Sequence, residues 1–308
     1  MDEEFCLDDK NEILKNQYEK GNNYRICEIG KSNICYIFAS SNGIYYPNTS
    51  EVFIKTIVEK DRYEWGGVAG EEEIKNSAGK IIFIRDIYKQ YYVNGINCEI
   101  NTIDKLCEFL KKETEGMRII ICGTSSGGYI ATILGIYLNA ELVFNFGGAW
   151  SLEEALRVAW EDNKIKSSYY FLWKKREDEM YKKWYDITKI LENSTVPIMY
   201  FYSALNKDDS IQRMFLDQVD SGKIYCFAMK SSAHGYVLFH NCYKKVITSS
   251  LDKMINVSEK FENKIISLRK ICFYFLDISA AVKECAYDIV HCHKSLQLVY
   301  KVFAKKCD

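Results

Sequence analysis

Residues Gly123-Thr124-Ser125-Ser126-Gly127 form a glycine-flanked serine turn, G-x-S-x-G, between two apolar runs, Met117–Cys122 and Tyr129–Tyr137. A chain that leaves a buried strand, bends at a serine and enters a buried helix strains the serine backbone, so its neighbours must be small. The hydroxyl then stands at the carboxyl end of the sheet, with a helix N-terminus behind it to favour developing negative charge. Those residue types in that order suit a nucleophilic serine. A glycine turn that cradles phosphate is the competing reading, and it needs neither an acid nor a histidine downstream.

A serine hydroxyl becomes an effective nucleophile when a histidine takes its proton and a carboxylate orients and stabilises the imidazolium. Four histidines exist: His234, His240, His291 and His293. His234 follows the strand-like run Lys223–Met229 in a loop of small residues, with Gly235 beside it. His240 follows an apolar run, and His291 and His293 fall in an amphipathic tail, where packed or exposed histidines are the simpler account. His234 is therefore the candidate base. The run Val196–Tyr202 is followed by Asn206-Lys207-Asp208-Asp209, whose spacing makes Asp209 the candidate acid, with Asp208 as the alternative or as a helix cap. Serine, acid and histidine then follow one another in the chain, each beyond a later strand, and this counts against the phosphate cradle.

The oxyanion of an acyl intermediate needs two donors. One is the Ser126 amide, directly after the nucleophile; the other is expected from Ser40-Ser41-Asn42-Gly43 after the early run Ile34–Ala39, with Ser41 as first choice. The same four residues are also a good turn sequence and nothing more. Tyr45, Tyr46 and Trp65 lie near this region, placed either to stack on a sugar or to fill the core.

These groups must be carried by a sheet. Strand-length apolar runs recur at Ile34–Ala39, Lys80–Arg85, Met117–Cys122, Glu141–Phe146, Val196–Tyr202 and Lys223–Met229. Most are continuous rather than alternating, as strands buried on both faces read. Helical segments at Thr102–Thr114, Ser126–Leu138 and Asp209–Val219 separate them, which predicts an α/β fold with a mostly parallel sheet and helices on both faces. Residues 1–252 form this domain. Residues 151–194, helical and aromatic-rich, are expected as an insertion capping the active end, and residues 253–308 as a helical extension that packs on the domain or on a second subunit.

The 308 residues carry a formal charge of −1, without the basic excess of a nucleic-acid binder. No apolar run reaches membrane-spanning length, and the acidic start MDEEFCLDDKNE is unlike a secretory signal. Twelve cysteines without a C-x-x-C pair suit reduced thiols in the cytoplasm. No metal and no tightly bound cofactor is expected.

The segments IFIRDIYKQYYVNGIN (82–97), INTIDKLCEFLKK (100–112), RIIICGTSSGGYIATILGIYLNA (118–140), WYDITK (184–189) and the D-x-x-Q of Asp209–Gln212 resemble bacterial α/β-hydrolase-like proteins of surface-polysaccharide synthesis. More distantly, the chain is similar to capsule polysaccharide O-acetyltransferases. Their G-S-S-x-G-G elbow corresponds to Gly123–Gly128 with Thr124 for the first serine, and their G-K-D-D turn to Asn206–Asp209 with asparagine for glycine. The resemblance covers about residues 30–250 and implies an acyl-serine mechanism, with acetyl-CoA as donor and a sugar hydroxyl as acceptor. A plain carboxylesterase and a non-catalytic adaptor of the same fold are the alternatives.

Overall fold

The computed structural model describes residues 11–161, 168–192, 194–219, 223–235, 238, 240–276, 278–283 and 286. Among them are seven strands: β1 (Tyr24–Glu28), β2 (Ile34–Ala39), β3 (Lys80–Ile84), β4 (Arg118–Thr124), β5 (Leu142–Phe146), β6 (Ile198–Ser203) and β7 (Ile224–Met229). They form one sheet in the order β1-β3-β2-β4-β5-β6-β7. β1 is antiparallel to β3, and every other pair is parallel.

The continuous apolar runs are explained by burial on both sides. Ile37, Ile121, Val143 and Ile198 stand in register across four strands and face the helices Ile103–Glu113 and Ser126–Tyr137. Their neighbours Phe38, Cys122, Phe144 and Met199 point the other way. They pack on a layer that includes His240–Ile247, Leu251–Lys260 and Leu268–Phe275. Each fully buried aliphatic or phenyl side chain contributes about 1.5–3 kcal/mol relative to exposure. The helix Ser126–Tyr137 is apolar all round, with Ser126 to Gly135 buried throughout, because sheet and insertion enclose it.

A parallel sheet with one antiparallel edge strand, helices on both faces and a serine turn at the end of central β4 is an α/β-hydrolase-like fold. Strand β1 is the element the sequence did not announce. It is an edge strand of half-exposed residues carrying Arg25 and Glu28, so it lacks the apolar run of its neighbours.

The insertion between β5 and β6 closes on itself. Ser151 and Asp186 pair in an isolated antiparallel bridge. Leu152 N–H donates to Tyr185 O at 2.7 Å and Ile187 N–H to Trp150 O at 3.0 Å. Its helices Leu152–Glu161 and Ser168–Lys175 lead to Trp184 and Tyr185, which are buried with Leu156 and Leu172 in the core around the helix Ser126–Tyr137. Tyr129 Oη donates to Trp184 O at 2.5 Å. The described part of the insertion thus packs along one flank of the sheet, where Trp184 and Tyr185 complete the core; residues 162–167 and 193 of the expected cap lie outside the described residues.

In the extension, Met254, Val257, Ile271 and Phe275 are buried against the opposite face, whereas Ile278 and Val282 are exposed. Of the amphipathic stripe beyond them, Cys285, Ile289, Leu296, Val299 and Phe303 lie outside the described residues, as do His291 and His293. Among the described residues no helix is long and apolar enough to cross a membrane.

Candidate active site

Ser125 has φ 54° and ψ −121°, a conformation that L-residues avoid. Its N–H is held by Phe146 O at 2.9 Å, and although it stands at the N-cap of its helix, its side chain caps nothing. The hydroxyl is left for other partners. The flanking glycines are required by close approach: a Cβ on Gly123 would collide with the carbonyl of Gly127, and a Cβ on Gly127 with that of Ala39. The second contact sets the elbow directly against the end of β2.

Three side chains converge there from three strand ends. His234 Nε2 lies 2.8 Å from Ser125 Oγ, and His234 Nδ1 lies 2.5 Å from Asp209 Oδ1. Asp209 is 2% exposed and its second oxygen accepts Ser203 N–H at 2.9 Å, so the carboxylate is fixed at both ends. The helix Lys207–Phe215 turns Asp209 inward and leaves Asp208 exposed. Asn206 adopts φ −92° without strain; its Oδ1 accepts Asp209 N–H and its Nδ2 donates to Ser232 O. The histidine loop is tied back by Ser203 Oγ, which donates to Ala233 O at 2.8 Å.

Burial alone would lower the His234 pKa, but the hydrogen bond and charge of Asp209, with a smaller contribution from Asp208, carry it above the usual imidazole value. The His234 side chain is 46% exposed, open to solvent on its outer edge. A cavity of about 440 Å³ opens over the pair, with Ser41, Arg62, Glu64, Trp65 and Tyr243 among its walls. No described residue of the insertion lines it. Among the described residues, no three His, Cys, Asp or Glu side chains gather as a metal site.

On the oxyanion side the structure departs from expectation at one residue. Ser126 is fully buried and its N–H, first in the helix, has no partner among the described residues. Ser41, however, gives its amide to Glu64 Oε2 at 2.5 Å and its hydroxyl to Glu64 Oε1 at 3.0 Å. A single N–H already spent on a carboxylate is not available to a substrate oxygen. Glu64 lies 23 residues downstream in Tyr63-Glu64-Trp65-Gly66, with no periodicity to single it out.

Of the nearby aromatics, Tyr45 is fully buried and donates to Ile87 O, and Trp65 packs against Phe38, Phe146 and Tyr243. Tyr45 fills the core, whereas part-buried Trp65 packs on the core and also lines the cavity; Tyr46 is exposed. The segment 82–97 supports the site from behind. Asp86 is fully buried and accepts the amides of Tyr88, Gln90 and Tyr92, holding Lys89, Tyr91 and Tyr92 at positive φ. Tyr92 Oη then donates to Ser40 O at 2.7 Å.

No family profile matches the sequence. No curated protein matches it either. Solved structures to which the chain is similar include MenH from S. aureus, at 10% identity and a TM-score of 0.45, over 77% of this chain and 99% of that one. Esterase B from Lactobacillus rhamnosis covers 87% of each chain at 11% identity and a TM-score of 0.43. The Wnt deacylase Notum from Drosophila matches 77% of this chain and 87% of its own at 11% identity and a TM-score of 0.42.

Proposed function

We propose that this chain is a serine acyl-transfer enzyme that opens an ester or thioester. The observation that carries the reading is the continuous relay from Ser125 Oγ through His234 to Asp209 at 2.8 and 2.5 Å. Ser125 Oγ attacks the acyl carbonyl while His234 Nε2 takes its proton, and Asp209 holds the Nδ1–H and the imidazolium charge. The tetrahedral oxyanion is held by the Ser126 amide together with a donor from the turn after β2. His234 returns its proton to the leaving alcohol or thiol, and an acyl-serine remains. Water or a second hydroxyl, deprotonated by His234, releases the acyl group.

Hydrolysis and transfer share every step but the last. The half-exposed His234 supports water as one acceptor. Acetylation of a surface-glycan hydroxyl from acetyl-CoA is the form that the sequence resemblance favours. Fluorophosphonate labelling with intact-mass readout tests the common core. One adduct on the wild type and none on Ser125→Ala is the expected result; no labelling of either favours a non-catalytic adaptor.

A further inference from the structure

The turn after β2 is held more firmly than a surface turn needs to be. Trp65 Nε1 donates to Ala39 O at 3.1 Å, Tyr92 Oη to Ser40 O at 2.7 Å, and Glu64 N–H to Ser40 Oγ at 3.2 Å. The Glu64 carboxylate then grips Ser41 at both its amide and its hydroxyl. The next residue, Asn42, reaches the elbow: Ser126 Oγ and Asn42 Oδ1 are 3.0 Å apart. Asn42 N–H has no partner among the described residues, and neither has the buried N–H of Ser126. Two unspent amides therefore belong to residues whose side chains touch, immediately beside the nucleophile.

We propose that Glu64 is a positioning residue of the oxyanion site: by occupying Ser41 it fixes the turn so that the Asn42 amide, not that of Ser41, is the second donor beside Ser126. The inference rests on the acyl-transfer reading above. Glu64 acts through geometry, with its lone pairs spent on Ser41 rather than on the substrate. The Ser41 bonds and the nearby Arg62 keep the carboxyl from following burial fully upward in pKa. A neutral isostere that still accepts the Ser41 amide should then serve nearly as well.

A backbone donor is deleted by proline where the fold accepts one. Asn42 is the second residue of the turn closed by Ile44 N–H to Ser41 O at 3.2 Å, a position that favours proline. Ser41 before it is extended, at φ −85° and ψ 174°, as a residue preceding proline must be. The experiment compares Asn42→Pro with Asn42→Ala, and Glu64→Ala with Glu64→Gln, on an activated aryl ester, with rates expressed per fluorophosphonate-titrated serine. Asn42→Pro is expected about 100-fold below Asn42→Ala in kcat, the usual loss for one oxyanion donor, with KM within about threefold. Glu64→Ala should lose about 30-fold or more in kcat, and Glu64→Gln should restore it to within about threefold of wild type.

Equal rates for Asn42→Pro and Asn42→Ala remove the Asn42 amide from the mechanism. A Glu64→Ala enzyme as fast as wild type removes Glu64, and a loss carried by KM alone makes it a substrate contact instead. A wild-type protein that neither labels nor turns over fails the function reading itself, and this inference with it.

Discussion

Asp209 and Gln212 stand three residues apart on one face of the helix Lys207–Phe215 and hold two different parts of the molecule. Asp209 binds His234, while the Gln212 side chain accepts the amides of Trp150 and Ser151 and donates to Ser151 O. The base of the insertion and the candidate acid are thus fastened to the same turn of helix. Gln212→Leu, which fills the space but strands the two buried amides of Trp150 and Ser151, is expected to cost about 2–4 kcal/mol by denaturant unfolding. Turnover per titrated serine should also fall several-fold; full stability after the change would show that water replaces the amide.

Ser125→Ala should abolish labelling and turnover with the melting temperature within a few degrees, since the side chain neither caps nor packs. Ser125→Gly should be the more stable of the two inactive variants, because glycine relieves the positive φ. The gain is about 1 kcal/mol, or roughly 2–4 °C by calorimetry. A glycine variant that melts below the alanine variant would mean that the elbow stores no such strain.

His234→Ala should lower kcat/KM on the order of 10³-fold or more, whereas His240→Ala should change it little. Similar losses at both positions, with lowered melting temperatures, would point to folding damage.

The pH dependence follows from the direction of the His234 shift. The base works only when neutral, so activity should fall as pH drops through a midpoint above the ordinary imidazole value of 6.5. Asp209→Asn removes the group that raises this pKa, so the residual activity should have its midpoint at lower pH. Asp208→Asn should shift it much less. A larger displacement from Asp208→Asn would reassign the acid.

The last step can be separated by acceptor competition. Acetyl-CoA alone should be hydrolysed slowly, and a surface-glycan precursor should accelerate CoA release with acetyl appearing on the sugar. If acetyl-CoA never acylates Ser125 while aryl esters are cleaved, the enzyme is an esterase. Trp184→Ala should cost about 3–5 kcal/mol in stability without altering this partition, since Trp184 lies in the core and not in the cavity.

The sheet and the juxtaposition of Ser125, His234 and Asp209 were legible because each follows from a local pattern. Strands buried on both faces announce themselves by composition, and glycine-flanked Ser125 by its turn. His234 had few rivals of its kind. The choice between Asp208 and Asp209 depended on helix phase, which the turn Asn206–Asp209 foreshadowed but packing decides. Glu64 and Asn42 were not legible in these roles. A carboxylate capping a turn 23 residues earlier, and an amide made available because its neighbour is occupied, are relations that exist only in three dimensions. The place of Trp184 and Tyr185 was not legible for the same reason, since aromatic residues suited to roofing a cavity are equally suited to sealing a core.

Because the insertion leaves and re-enters through the bridge of Ser151 with Asp186, it is a side branch of the chain rather than a link in it. Outside the residues that enter the core its length is lightly constrained: each doubling of a flexible loop costs only about 0.6 kcal/mol. Homologous chains can therefore diverge here in size while keeping strand order and relay geometry. For the experimenter, the branch is a place to graft a fluorophore-binding peptide or an affinity tag, tied at its base through Gln212 to the helix that carries Asp209.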